Sequence, residues 1–355
     1  MLNYFVDSKL ISEAQHGFLK GLSTTSNLLY CINDWTLSLQ NRHGVAIIYI
    51  DLAKAFDTVS HDKLLYRLKC YGIGGNLLIW LRNFLKNRTH CTRVGNSVSE
   101  TCDLLSGVIQ GSNVGPLLFI SFINELAEIL GELYVTAKFF ADDLKIFAEV
   151  LTNIDIDNLQ LALDRLVTWC NDWQMQIAVN KCSMLCIGPI PTTPNLNIND
   201  CVLPEVTSVK DLGITFDANL SFSAHITTIT ISANQRVNLL FRAFHSRNIK
   251  TLVKAYITYV RPLLEYNTVI WSPYKTGDIS NIEKVQRGFT KRLPGLKNLT
   301  YKERLAATNR HTLELRHLRT DLIVCYKIVF RLIKVDFCTW PLAGMLLMIL
   351  LYMYL

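Results

Sequence analysis

VAIIYI (Val45 to Ile50) is an unbroken apolar run of six residues that stops at Asp51. Side chains alternate between the two faces of a strand, so a strand apolar at every position has no face left for water. It must lie inside a sheet covered on both sides, and a chain with such a strand is committed to helices layered on a sheet. The run ends in a carboxylate, at the edge of the buried layer. A second acidic cluster has a comparable setting. Ala141-Asp142-Asp143 stands between LYVTAKFF (Leu133 to Phe140) and LKIFAEV (Leu144 to Val150), which reads as a hairpin with its acidic residues at the apex.

The rest of the pattern places these two features in an α+β core followed by helices alone. Ser23-Thr24-Thr25-Ser26 starts a helix that runs through Leu28, Leu29, Ile32, Trp35 and Leu39 to Gly44. Helical patterns follow at about 60–70, 75–86 and 114–130. The clearest helix covers 155–173, with Ile156, Leu159, Leu163, Leu166, Val167, Cys170 and Trp173 on one stripe and Asp155 read as its cap. Pro189, Pro191 and Pro194 mark a loop, and Ser208 to Asp217 reads as one further strand. From about 220 the chain is helical, with breaks at Pro262, Pro273 and Pro294-Gly295.

Composition removes several classes. Of 355 residues, 50% are apolar and 18% charged, which excludes a largely disordered chain. Ten cysteines without a C-x-x-C pair exclude a disulfide scaffold and a structural zinc site, and read as reduced thiols of an intracellular protein. The first fifteen residues lack a secretion signal, so a nuclear or cytoplasmic location is expected. Charge is unevenly distributed. Residues 1–234 hold 16 Lys+Arg against 22 Asp+Glu, whereas residues 235–335 hold 20 against 6. An acidic front and a basic rear suggest metal chemistry followed by a polyanion grip. A solvated helical surface is the alternative origin of the basic stretch.

If the strand ending at Asp51 neighbours the hairpin of Asp142 and Asp143, three carboxylates converge. Like charges that close cannot all stay ionised without a cation, and Mg²⁺ prefers oxygen donors. Two such ions about 4 Å apart would serve an in-line phosphoryl displacement. Taken singly, each feature reads equally as a helix cap or an ordinary turn.

The surrounding blocks narrow the choice. QHGFLKGLSTTSNL (Gln15 to Leu28), YIDLAKAFDTVSHDKLL (Tyr49 to Leu65), SGVIQGSNVGPLLFISFINEL (Ser106 to Leu126), FADDLKIF (Phe140 to Phe147), NKCSMLCIG (Asn180 to Gly188) and VKDLGITFD (Val209 to Asp217) occur in that order. Together they resemble the successive blocks of reverse transcriptases of non-LTR, LINE-type retrotransposons, most closely the jockey-like group. KAYITYVRPLLEYNTVIWSPY (Lys254 to Tyr274) and IEKVQRGFTKRLPGL (Ile282 to Leu296) resemble the segment that follows the polymerase core in those elements. Group II intron enzymes resemble Q-G-G in the third block, where this chain has Gln110-Gly111-Ser112; retroviral and telomerase wording matches less well.

The resemblance implies a polymerase palm with partial fingers over 1–217 and a basic, all-helical, thumb-like region over 218–335. The implied activity is RNA-directed DNA synthesis by two-Mg²⁺ nucleotidyl transfer, with Mn²⁺ as a substitute ion. The implied partners are an RNA template, a DNA primer and deoxynucleoside triphosphates. Asp51, Asp142 and Asp143 would be the metal-binding carboxylates, joined by the backbone carbonyl of Leu52. Phe56 would press on the sugar of the incoming nucleotide, and its alternative role is a core phenylalanine. Gln110 and Gly111 would meet the nascent base pair, Lys181 would protonate the departing pyrophosphate, and Leu212-Gly213 would hold the primer end. Arg287, Lys291 and Arg292 are the first candidates for contacts to the nucleic-acid backbone.

Three departures from the family pattern qualify these expectations. Ile109 replaces the usual proline before Gln110 and is expected to loosen that loop, while Phe140 stands where many relatives have tyrosine. The chain also starts just ahead of Gln15, so the upstream finger strands and their triphosphate clamp are expected to be missing. That leaves a binding-only remnant as the alternative function. Finally, Phe337 to Leu355 carries no charge, close to the ~20 residues that span a bilayer. A tail anchor competes there with unrelated read-through over 336–355, and the read-through is the favoured reading.

Overall fold

The computed structural model describes residues 1–333, and the expectations for 336–355 lie outside them. The described chain divides into two compact units, one comprising 1–27 and 34–207, the other 28–33 with the chain from Ser208 onward.

Up to residue 207 the elements run α1 (Leu2–Asp7), α2 (Thr24–Gln40), β1 (Gly44–Ile50), α3 (His61–Cys70), α4 (Gly75–Leu85), β2 (Thr89–His90), β3 (Arg93–Val94), β4 (Ser97–Val98), β5 (Cys102–Asp103), α5 (Gly115–Gly131), β6 (Thr136–Phe140), β7 (Asp143–Val150), α6 (Asn153–Trp173), β8 (Ser183–Ile187), β9 (Asn197–Ile198) and β10 (Cys201–Val202). The apolar run is the core strand it was expected to be. β1 lies inside a four-stranded sheet ordered β6-β7-β1-β8, antiparallel to both of its neighbours. Ala46, Ile48 and Ile50 join a core that α3, α4, α5 and α6 build on one face. Val45 and Ile47 on the other face are buried as completely. Each such side chain contributes about 1.5–3 kcal/mol by leaving water, which makes β1 a rigid base for Asp51.

Two local readings change. Asp155 is not the cap of α6: Thr152 is, and Asp155 sits three residues later. Its carboxylate accepts the Thr152 and Leu151 N–H groups at 2.8 and 2.9 Å, which closes a capping box. The segment Ser208 to Asp217 is not one strand but a hairpin, β11 (Ser208–Asp211) on β12 (Ile214–Asp217), with Leu212 and Gly213 turned to φ +43° and +88°. Nothing in the alternation marks that reversal, because both arms carry the same period. The short exposed ladders β2–β5 and β3–β4 likewise have no apolar pattern to announce them.

After that hairpin the second unit is helical: α7 (Ser223–Ala243), α8 (Ile249–Tyr259), α9 (Arg261–Glu265), α10 (Thr268–Trp271), α11 (Thr276–Lys291), α12 (Tyr301–Thr308) and α13 (Leu313–Val329). Pro262 falls in the first turn of α9 and Pro273 follows α10, where a missing N–H is harmless. Tyr256 stacks on Phe289 with ring centres 4.3 Å apart, which joins α8 to α11. No helix among the described residues is long and apolar enough to cross a membrane.

Candidate active site

The ladder between β1 and β7 pairs Ile50 with Leu144, so one step further Asp51 and Asp143 face each other at the sheet edge. β6 and β7 pair Phe140 with Asp143, which leaves Ala141 and Asp142 as a two-residue turn. Asp51 thus ends its strand beside the turn that carries Asp142. The charge of Asp51 reaches the Asp142 carboxyl. Burial pushes that carboxyl above the usual range, and the negative charge of Asp51 pushes it the same way. Carboxylate oxygens brought near one another are donors suited to a hard divalent cation.

A backbone donor points into the same place. The Asp51 carbonyl accepts the Ala178 N–H at 2.8 Å, and the Ala53 N–H donates to Gln176 at 2.7 Å. In an antiparallel pair successive residues turn their polar groups to opposite sides, so the Leu52 carbonyl faces the β7 side. Lys181, at the end of a single 3₁₀ turn, brings Nζ to 3.3 Å from Asp51 Oδ1. Asp143 is exposed at the rim. No group of three His, Cys, Asp or Glu side chains close enough to hold a metal forms among the described residues. Asp51 and the turn of Asp142 lie at the same end of the sheet, and Leu52 continues from Asp51.

Phe56 is half-buried. Its ring stacks on Phe119 at 4.1 Å between centres, and Phe18 meets it edge-on at 6.2 Å. The segment carrying Gln110 is tied directly to it, since the Val108 N–H donates to the Phe56 carbonyl and the Gly107 N–H to the Val59 carbonyl, both at 2.8 Å. Gly107 is required there: at φ +90° a Cβ would stand 2.8 Å from the Asp57 carbonyl oxygen. Gln110 Nε2 donates to Asp57 Oδ1 at 2.9 Å, and Gly111 follows at φ +80°. Ile109 is itself tied into the loop. Its carbonyl accepts from the Ser112 hydroxyl at 2.7 Å, and that hydroxyl accepts the Gly115 N–H at 3.0 Å, which pins the loop to the start of α5.

Two residues of this region carried no role in the sequence reading. Asp57 anchors Gln110. Gln15, only 3% exposed, grips the turn of Ala141 and Asp142. No local pattern singles it out, because its partner lies 126 positions away.

Leu212-Gly213 and the three basic candidates belong to the second unit. Leu212 there accepts the Tyr266 hydroxyl at 3.0 Å. Lys291 and Arg292 line a cavity of about 660 Å³ together with Phe241, Arg247 and Lys297. Arg292 is fixed over the Phe241 ring at 4.0 Å and donates to Asn238 at 2.7 Å. Arg287 is held elsewhere, 4.8 Å above the Tyr301 ring.

The fold is thus an antiparallel sheet with a carboxylate at a strand end, another on the neighbouring turn and a covered helical face behind them. The family described as reverse transcriptase (RNA-dependent DNA polymerase) matches residues 1–216, and the chain belongs to it. It is 26% identical over 298 residues to the RNA-directed DNA polymerase from mobile element jockey of Drosophila melanogaster, covering 81% of this chain and 32% of that protein. It is also 26% identical over 303 residues to the probable RNA-directed DNA polymerase from transposon BS of the same fly, covering 79% and 32%. The chain thus spans about a third of the length of these relatives. Among solved structures, telomerase from Candida albicans in complex with a fragment of telomeric RNA is similar at a TM-score of 0.45 and 12% identity, over 94% of this chain and 56% of that one.

Proposed function

We propose that this chain is the reverse transcriptase part of a non-LTR retrotransposon polymerase, which extends a DNA primer on an RNA template. The observation that carries the reading is the placement of Asp51 at the end of β1 beside the turn of Asp142, whose carboxyl is raised by burial and by the charge of Asp51. In this reading residues 1–217 are palm and partial fingers, and 218–335 are the thumb-like region. Asp51, Asp142 and the Leu52 carbonyl hold Mg²⁺ or Mn²⁺, with Asp143 at the rim as a further carboxylate. When bound, two such ions neutralise charge and stabilise the attacking and leaving oxygens of the displacement.

The chain's own residues do the rest. Phe56, backed by Phe119, lies under the sugar and leaves no room for a 2′-hydroxyl. Gln110, oriented by Asp57, and Gly111 meet the nascent pair. Lys181 gives a proton to the departing pyrophosphate, and until then its charge is held against Asp51. Leu212-Gly213 supports the primer end, while Arg287, Lys291 and Arg292 contact phosphates.

Primer extension with the purified chain, an RNA template and Mg²⁺ tests the reading. Asp51→Asn or Asp142→Asn should lower incorporation by several orders of magnitude and leave primer-template binding intact, because charge stabilisation in the transition state is what they remove. Incorporation within threefold of the parent overturns it. So does a parent chain that binds primer-template and incorporates nothing, which would make it the binding-only remnant.

A further inference from the structure

We propose that Gln15 is a positioning residue for the metal site, holding the turn that carries Asp142 through its own side-chain amide. This rests on the assignment of Asp51 and Asp142 as cation ligands. The turn needs an external hold. Ala141 precedes Asp142 and sits at φ +56°, in the left-handed region that an alanine enters at a cost of roughly 1–2 kcal/mol. A strained residue in a two-residue loop stays there only if its surroundings leave it no alternative.

Gln15 supplies that constraint. Its Oε1 accepts the Ala141 N–H at 2.9 Å, and its Nε2 donates to the Ala141 carbonyl at 3.3 Å, so one amide satisfies both backbone groups of the strained residue. The same Oε1 accepts the Gly17 N–H at 2.7 Å, which fixes the amide's orientation. The backbone around Gln15 is in turn docked on β6: the His16 N–H donates to the Phe139 carbonyl and the Phe139 N–H to the Ala14 carbonyl, both at 2.9 Å. Asn27 Nδ2 adds a donor to Phe139 at 3.0 Å. Gln15 is buried, and two of its three side-chain bonds fall on Ala141, the residue before the proposed metal ligand. This is the arrangement of an outer partner of a metal site, whose loss lowers metal affinity by about 10–100-fold.

The test titrates Mn²⁺ into the full chain by electron paramagnetic resonance, with no substrate present. Gln15→Met keeps the length of the side chain and removes the amide; it should raise the Mn²⁺ dissociation constant about tenfold and lower the urea midpoint of unfolding, while the chain stays folded at zero urea and primer-template affinity stays near the parent's. Gln15→Glu keeps the acceptor and loses the donor, and should fall between. Ala141→Gly placed on Gln15→Met should recover most of the affinity, because glycine takes the left-handed φ without the amide's help. That rescue would not follow if Gln15 merely supported the fold, and a double variant no better than Gln15→Met overturns the proposal. Should Gln15→Met fail to fold, Gln15→Glu with and without Ala141→Gly makes the same comparison. Asp51→Asn separates the two levels of the argument. If it leaves Mn²⁺ binding unchanged, the ligand assignment fails. If it abolishes binding and Gln15→Met does not weaken it, the positioning role alone fails.

Discussion

Gly17→Ala is the sharpest perturbation of the first unit. A Cβ at this position would stand 2.4 Å from the Ala141 backbone nitrogen, 3.0 Å from its Cα and 3.0 Å from Gln15 Oε1. Contact with backbone cannot be relieved by a rotamer change, and ordinary contact begins near 3.4 Å. The segment 15–17 and the turn at 141–142 must therefore separate by about 1 Å. Overpacking of this kind costs about 1–3 kcal/mol. The separation also breaks the 2.9 Å bond from Ala141 to Gln15, worth about 1 kcal/mol. The expected loss is thus roughly 2–4 kcal/mol. Equilibrium urea unfolding followed by tryptophan fluorescence measures it, with Gly277→Ala as the control, since a Cβ there meets nothing within 4 Å. A loss below about 0.5 kcal/mol for Gly17→Ala would refute the close approach and the packing argument built on it.

Further outcomes follow from other parts of the molecule. Phe56→Val should raise ribonucleotide relative to deoxynucleotide incorporation efficiency; an unchanged ratio makes Phe56 a core residue resting on Phe119. Lys291→Glu with Arg292→Glu should weaken duplex binding at low salt and reduce the log–log salt slope by about two, and an unaltered slope removes this cavity from the nucleic-acid path. His225 is buried and accepts the Thr215 N–H at 3.2 Å, and burial, aided by the charge of Lys210, lowers its pKa to about 4. The unfolded chain therefore binds the proton first. The stability held by neutral His225 is complete above pH 6.5, declines as pH falls from there and is gone near pH 4. Urea midpoints taken across that window should fall less steeply for His225→Gln than for the parent, and equal slopes would contradict the assignment.

The sequence by itself determined the buried strand and what ends it. An unbroken apolar run has no solvent face, so β1 had to be internal, and Asp51 had to stand at the edge of a rigid layer. The turn signal at Ala141-Asp142-Asp143 between two apolar arms fixed the second carboxylate in the same local way, as did the 3.6-residue stripe of α6 and the prolines that break the later helices. The ordered blocks determined the family. What these patterns share is a physical cause that acts within a few residues. Only the tertiary structure decided which strands are neighbours, and so that Asp51 ends beside the turn that carries Asp142. It also decided that Leu212-Gly213 reverses a hairpin, and that Asp57 orients Gln110 across more than fifty positions of sequence. Gln15 shows the limit most clearly. Its amide acts on a residue 126 positions away, through a strained φ at Ala141 and a gap beside Gly17 too narrow for a methyl group. Neither is a property of any window of sequence; both exist only once β6 has been folded against the chain that begins at Ala14.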